Sequence, residues 1–169
     1  MSGTYSASEY KFQEVVLTIP ERGIELDIGP TIIELMLYES VNTPYITGSM
    51  VCADTEYVFE RLRFDGTERV TINIASEHDE VLTKSFFITR TMGKTKVDEN
   101  TYAYNYYIAE DIFFLDVLKS ISRAYLGTPD KIIQNVLSNE FKRELSLIGK
   151  APYQSAFNYV SPFISPLGI

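Results

Sequence analysis

The residue types that most often perform chemistry are scarce in this sequence. Histidine occurs once, at His78, with the carboxylates Glu77 and Asp79 on either side. Such a group could bind a metal ion or transfer a proton. A single histidine in a short charged turn is more often simply solvated. We therefore expect no metal or acid–base site at this turn.

The sequence has one cysteine, Cys52, which excludes an intrachain disulfide framework and a multi-cysteine zinc site. Cys52 lies in a segment where apolar and polar residues alternate, so we expect it to be a small buried hydrophobic residue. A thiolate nucleophile would need a base, and His78 is the only histidine available. A single thiol is typical of a protein that assembles in a reducing cytoplasm.

The remaining catalytic candidates have simpler explanations. Glu110 and Asp111 are adjacent carboxylates, a residue type that glycosidases use in pairs, but they lie where a predicted strand meets a predicted helix. An acidic residue there caps the helix. Ser49 lacks the glycine pattern of a nucleophile elbow, and no phosphate-binding or calcium-binding loop occurs. The sequence therefore predicts a protein that is not an enzyme and holds no cofactor or metal.

Composition limits the class of protein and its partners. The chain has 169 residues, of which 45% are hydrophobic, and 15 basic against 23 acidic residues give a net charge of −8. This is a folded chain of one domain, or of one domain and part of another. The negative charge disfavours binding to nucleic acid phosphates or to an anionic membrane. No apolar run has the roughly 18 residues of a membrane helix, and we expect no signal peptide at the start.

Aromatic residues are abundant, with 12 Tyr, 10 Phe and no Trp. Tyrosine is enriched at protein interfaces, where a ring with a polar tip tolerates partial wetting. Strands also favour tyrosine and phenylalanine, which is the simpler explanation. Composition alone leaves both explanations open.

The first two thirds of the chain have the alternation that is typical of β-strands. Strands are predicted over 10–20, 24–28, 31–40, 45–54, 69–76, 81–92 and 100–110. A short helix is predicted over 55–63, with Asp54 or Thr55 as its N-cap.

The hydrophobic period changes at residue 111. Leu115, Leu118 and Ile121 are spaced three apart and predict a helix over 111–125. A second helix is predicted over 128–145, starting with Thr128 as N-cap, and the two would form an αα-hairpin. The fold class expected is α+β, mainly β, with domains over 1–110 and 111–169. The apolar end over 161–169 leads us to expect that the chain is part of a longer polypeptide.

Four motifs occur in an order that resembles one known family. They are "TPYITGS" (43–49), a short helix followed by Gly66 and an alternating strand, "YAYNYYIAEDIFF" (102–114) and "SRAYLGTPDKII" (122–133). Together they resemble the N-terminal part of the baseplate central hub proteins of contractile-tailed bacteriophages. The resemblance covers residues 10 to about 165.

The resemblance implies a mechanical role rather than a chemical one. In that family each subunit of a homotrimer carries two tube-like β-barrels, so that six barrels adapt a hexameric tail tube to a trimeric central spike. Residues 1–110 would form an antiparallel tube-like barrel and 111–169 the beginning of a helical domain; the second barrel is absent from this sequence. Implied partners are further copies of the chain, the tail tube protein, the spike and other baseplate proteins. The implied location is the virion baseplate, assembled in the host cytoplasm without membrane insertion, and DNA would only pass through the lumen, where an acidic wall would not retain it.

Six residues are candidates for the protein interface. In the picture that the resemblance gives, Pro44 and Gly48 bend or break strand pairing where the barrel meets its neighbour; strand ends inside a monomeric barrel are the alternative. Burial in the core is the alternative for the others. The full set is Pro44, Tyr45, Gly48, Met50, Phe59 and Phe64.

Other functions remain open from sequence. One is an equivalent hub or spike-adaptor of a contractile injection system that is not a phage. Another is a carbohydrate-binding β-domain of a receptor-binding protein, although sugar stacking usually involves tryptophan. A tail-associated hydrolase is disfavoured because no acid–base constellation occurs.

Overall fold

The computed structural model describes residues 11–75, 81–146 and 155–168. The chain forms two compact units, Met1–Glu110 and Asp111–Ile169. The boundary falls at the residue where the hydrophobic pattern of the sequence changes its period. Each unit has a hydrophobic cluster of its own.

The first unit is a seven-stranded antiparallel sheet, and the chain as a whole is mainly β with some helix, as predicted. The strand order is β2-β1-β5-β6-β7-β4-β3. Each predicted strand is present, and the largest difference is at β6, which continues past residue 92. The strands are β1 Lys11–Ile19, β2 Ile24–Asp27, β3 Ile32–Ser40, β4 Thr43–Asp54, β5 Arg69–Ala75, β6 Val81–Lys96 and β7 Tyr102–Glu110.

One face of this sheet covers a single core. Its largest fully buried side chains include Leu17 on β1, Ile72 on β5 and Phe86 on β6. Leu26 from β2 and Leu35 from β3, the two edge strands, pack against the same cluster. The sheet therefore curls around one core, since its opposite edges contribute to the same contacts.

The predicted closed barrel is wrong for this sheet. Closure requires the two edge strands to pair along several residues at a fixed stagger. β2 has four residues and pairs with β1, and β3 has nine and pairs with β4. A short 3₁₀ turn, Gly29–Thr31, carries the chain from one edge to the other. Among the described residues no ladder joins β2 to β3, so the sheet remains open.

A five-residue helix, α1 (Val58–Leu62), follows β4. It is shorter than predicted because Tyr57 and Arg63, at its two ends, adopt left-handed backbone conformations with φ of 56° and 46°. Of the two predicted caps, Asp54 has the role: its carboxylate accepts hydrogen bonds from the N–H groups of Glu56, Val58 and Phe59. The intervening loop allows the carboxylate to reach the first turn of the helix.

The second unit mixes helices with a two-stranded ribbon. Its elements are α2 Asp111–Val117, β8 Ala124–Gly127, α3 Pro129–Val136 with a π-helical turn at Leu137–Phe141, and β9 Phe157–Val160. β8 and β9 pair antiparallel. Tyr125, Ile132 and Val136 are buried in the small core of this unit.

The predicted αα-hairpin is wrong, because a strand separates the two helices. α2 ends at Val117, Leu118 is 78% exposed, and Ile121 donates its N–H to the carbonyl of Ile164. The conformation of residues 121–127 is therefore determined by pairing with a distant segment, and hydrophobic spacing along the sequence does not predict such pairing. The predicted start of the second helix is confirmed, since α3 begins at Pro129 after an extended Thr128.

Among the helices of the described residues, none has the length and apolar character needed to cross a membrane.

Candidate interaction surfaces of the sheet

Gly48 lies on β4, a continuous strand that is paired on both sides and stands next to the edge strand β3. On β4 it pairs with Leu37 of β3 on one side and Ile108 of β7 on the other. A Cβ at this position would lie 2.5 Å from the backbone oxygen of Met36. Gly48 is therefore needed for close approach between strands, and the expectation that it breaks strand pairing at an intermolecular contact is wrong.

Pro44 lies near the start of β4, where the register between β3 and β4 shifts. Tyr38 pairs with Thr47 and Ser40 with Thr43, so extra residues accumulate on β4 around Pro44. β4 joins β7 only from Thr47 onward. Proline is tolerated there because an irregular strand start does not need its missing N–H. Pro44 is exposed and lies at this register shift, and a contact between it and a partner stays a prediction.

Tyr45 is half-buried, and the backbone beside it is fixed by a carboxylate from another strand. The N–H of Ile46 donates to Oε2 of Glu110 at 2.8 Å, and Lys84 pairs with Oε1 of Glu110 at 2.9 Å. Glu110 thus joins the start of β4 to β6. This structural role accounts for one of the two adjacent carboxylates.

The second of those carboxylates, Asp111, lies in the first turn of α2 and pairs with Arg143 at 3.0 Å. The two groups therefore bind separate cations. His78 and its neighbours at 77 and 79 lie outside the described residues.

Met50, Phe59 and Phe64 belong to the core and not to the surface. Met50 is fully buried, Phe59 is 5% exposed, and Phe64 packs partly buried against them. Phe59 also contacts the rings of Tyr104 and Tyr106, with centroids 5.7 Å apart in each case. The expectation that these three residues contact a partner is therefore wrong for this chain, and core burial, the alternative explanation, applies.

Cys52 is fully buried on β4, as expected from the alternation around it. Removal from water raises the pKa of its thiol to about 12, and the nearby carboxylate of Asp54 acts in the same direction. A neutral thiol is a poor nucleophile and a poor metal ligand. Burial of Tyr106 likewise raises its pKa above the ordinary range.

A buried carboxylate that the sequence analysis did not single out closes the loop after α1. Glu68 is 1% exposed and accepts hydrogen bonds from the N–H groups of Asp65 and Gly66 at 2.6 and 2.9 Å. The Asp-Gly turn followed by an acidic residue was the available signal, because such a residue can reach back to the turn's N–H groups.

The unpaired edge of β3 exposes large apolar side chains. Met36 and Tyr38 are 42% and 50% exposed and lie on the face opposite the core. Glu34 and Glu39 are exposed on the same strand, which has no basic residue. The apolar outward positions in 31–40 were the sequence signal for this edge, since a solvated strand face is usually polar.

The end of β6 forms a further unpaired edge, in addition to the outer edges of β2 and β3. β5 pairs with β6 only as far as Phe87, and residues 90–96 are all exposed. Beyond Ile88, among the described residues, this part of β6 pairs with β7 alone. It carries Arg90, Lys94 and Lys96 and no acidic residue.

Lys94 has partners within its own chain. It forms an ion pair with Glu60 of α1, and its ammonium group lies 3.9 Å from the ring centroid of Tyr102. The hydrogen bond to Glu60 raises the pKa of Lys94. Lys94 therefore helps to hold α1 against the sheet.

In the described ranges, no three histidine, cysteine, aspartate or glutamate side chains come close enough together to hold a metal ion. No protein-family model and no curated protein matches the sequence.

Proposed function

We propose that this chain is a structural subunit of a virion baseplate, a central hub of a contractile tail that adapts the hexameric tail tube to a trimeric spike. In this proposal the curled sheet of the first unit, from β1 to β7, is the tube-like unit. Residues 111–169 form the second unit. DNA passes through the assembled lumen without being bound, and the role is mechanical rather than enzymatic.

One observation carries the proposal: the sheet curls around a single core and leaves the outer edge of β3 and the end of β6 unpaired. The β3 edge also exposes Met36 and Tyr38. Unpaired apolar edges cause aggregation unless a partner covers them, so stable proteins retain such edges mainly for assembly. The order of the four sequence motifs supports the same role.

The candidate catalytic side chains within the described residues have structural roles. Cys52 is buried and protonated, Glu110 joins strands, and Asp111 binds Arg143. A hub or spike-adaptor of another contractile injection system would present the same surfaces.

The proposal is tested by the molar mass and shape of the product of the whole gene. Light scattering after size exclusion should give a trimer, and negative-stain images should show rings of near-sixfold outline. The same sample should co-sediment with the tail tube subunit of the same particle. A strict monomer at micromolar concentration that binds neither tube nor spike would contradict a hub role, and binding on a glycan array would support the carbohydrate-binding alternative instead.

A further inference from the structure

The unpaired edge of β3 and the free stretch of β6 carry opposite charge. The β3 edge has Glu34 and Glu39 with no basic residue, whereas the free stretch of β6 has Arg90, Lys94 and Lys96 with no acidic residue. Opposite charges that face each other favour association, and like charges oppose it.

The two edges also match in length and in apolar content. Residues 34–39 and 90–96 each extend over roughly 17 to 20 Å at about 3.3 Å per residue. The acidic stretch places Met36 and Tyr38 between its charges, and the basic stretch places Met92 between Arg90 and Lys94; Met92 is 50% exposed. An apolar centre with charges around it is the usual arrangement of a specific interface.

Other pairings of these edges bring like charges together. Two β3 edges would oppose glutamates to glutamates, and two β6 edges would oppose cations. The edge of β2 carries Glu25 and Asp27, so pairing β2 with β3 would also be repulsive. Opposite charges meet only when the β6 stretch pairs with β2 or with β3, and β2 has four residues against nine in β3, so β3 alone matches the length of the β6 stretch. The β3 and β6 edges belong to different copies if each chain keeps its own fold.

We propose that the β3 edge of one copy of this chain adds to the free stretch of β6 (90–96) of a second copy, extending the sheet from one molecule to the next. The contact is heterologous, so a pair of molecules still has one free edge of each kind, and the assembly either closes into a ring or grows. This inference rests on the self-association that the proposed function requires, and it identifies the surfaces that make the contact.

Part of the basic stretch is already engaged, and this decides which residues a test should change. Lys94 binds Glu60 and contacts Tyr102, so its substitution would disturb α1. Arg90 and Lys96 are exposed at the two ends of the stretch. Lys96 also lies near Asp98, whose carboxylate accepts the N–H of Asn100.

The test is a charge exchange followed by sedimentation velocity over a concentration series. The first variant carries Glu34→Lys and Glu39→Lys, and the second carries Arg90→Glu and Lys96→Glu. Each alone should weaken self-association by at least roughly tenfold, because both of its edges then have the same sign. An equimolar mixture of the two should associate again, and so should the variant that carries all four substitutions.

A control variant with Glu21→Lys and Glu144→Lys changes the net charge by the same amount as the first variant. Both residues are exposed and lie outside β3 and β6, so wild-type association is expected to persist. Circular dichroism establishes that every variant is folded.

The inference is overturned if the wild-type chain stays monomeric, or if the folded edge variants associate like the wild type. It is also overturned if the mixture fails to recover association. If the edge variants self-associate as strongly as the wild type, the hub role remains possible but copies of the chain must contact each other through other surfaces. Failure to bind tube or spike, with the charge exchange intact, would contradict the hub role alone.

Discussion

Gly48 shows how one missing side chain sets the spacing of three strands. Its absent Cβ leaves room for the backbone oxygen of Met36 and for the side chains of Leu37 and Ile108, at 2.5, 3.0 and 3.2 Å. We expect Gly48→Ala to lower the free energy of unfolding by about 1–3 kcal/mol, because the rigid backbone oxygen cannot move away. Urea denaturation measures the change.

The matched control for that substitution is Gly93→Ala on β6. A Cβ at Gly93 would meet nothing within 4 Å, so we expect a change within about 0.5 kcal/mol. If both substitutions lower the free energy of unfolding equally, the cause is the loss of glycine itself and not the contact with the backbone oxygen of Met36.

The buried thiol of Cys52 predicts a specific pH dependence. In the unfolded chain it ionises near its ordinary pKa of 9, while in the folded chain the pKa is about 12. The stabilisation is fully present below pH 9. Between pH 9 and 12 only the unfolded state loses its proton, so stability falls as pH rises, by up to about 1.4 kcal/mol per pH unit.

The measurement compares urea denaturation of the wild type and of Cys52→Ala between pH 8 and 11. The alanine variant lacks the titrating thiol, so its stability should fall less steeply over this range. Burial is the first cause of the raised pKa of Tyr106 and acts in both proteins, whereas the smaller effect of the Cys52 thiol on Tyr106 is absent from the variant, so the comparison is read below pH 10, where tyrosine stays protonated. Parallel curves would mean that the thiol in the folded protein ionises as easily as in the unfolded chain.

At the scale of the element, α1 depends on a cap supplied by a strand. The carboxylate of Asp54 is 4% exposed and accepts three backbone N–H groups at 3.2, 2.9 and 2.9 Å. We expect Asp54→Ala to cost about 1–3 kcal/mol, because it leaves buried donors without acceptors. Hydrogen exchange should accelerate at the amides of Val58 and Phe59.

Thr55→Ala is the control for this prediction. Thr55 is the neighbouring residue, is exposed, and was the other cap expected from sequence. Its loss should change stability by less than about 0.5 kcal/mol. If Thr55→Ala were as destabilising as Asp54→Ala, the carboxylate would not be the cap.

The sequence predicted elements well where local chemistry decides them. Strict alternation predicted the seven strands, and the Thr128 and Pro129 pair predicted the start of α3. The end of α2 was missed because residues 121–127 pair with a segment that lies 30 to 43 residues further along the chain. The sequence also could not show whether the sheet is open or closes into a barrel, because strand alternation does not specify which strands become neighbours.

The candidate site was predicted less well for a related reason. Cores and interfaces both select large apolar and aromatic residues, so Met50, Phe59 and Phe64 satisfied either explanation. Only the fold shows that they point inward. The edges of β3 and β6 emerged once strand order and exposure were known.

At the scale of the whole molecule, two separate cores predict two cooperative units. Ile72 is fully buried in the sheet core, and Ile132 is 4% exposed in the core of the second unit. Ile72→Val and Ile132→Val remove the same methylene, and each should cost its own unit about 0.5–1.5 kcal/mol. Native-state hydrogen exchange should then show lost protection only in the unit that carries the substitution.

This independence matters for assembly. If the sheet is stable by itself, self-association through β3 and β6 should survive Ile132→Val unchanged. If either substitution instead lowers protection throughout the chain, the molecule unfolds as one unit. The second unit would then set the stability of the surface that we propose for assembly.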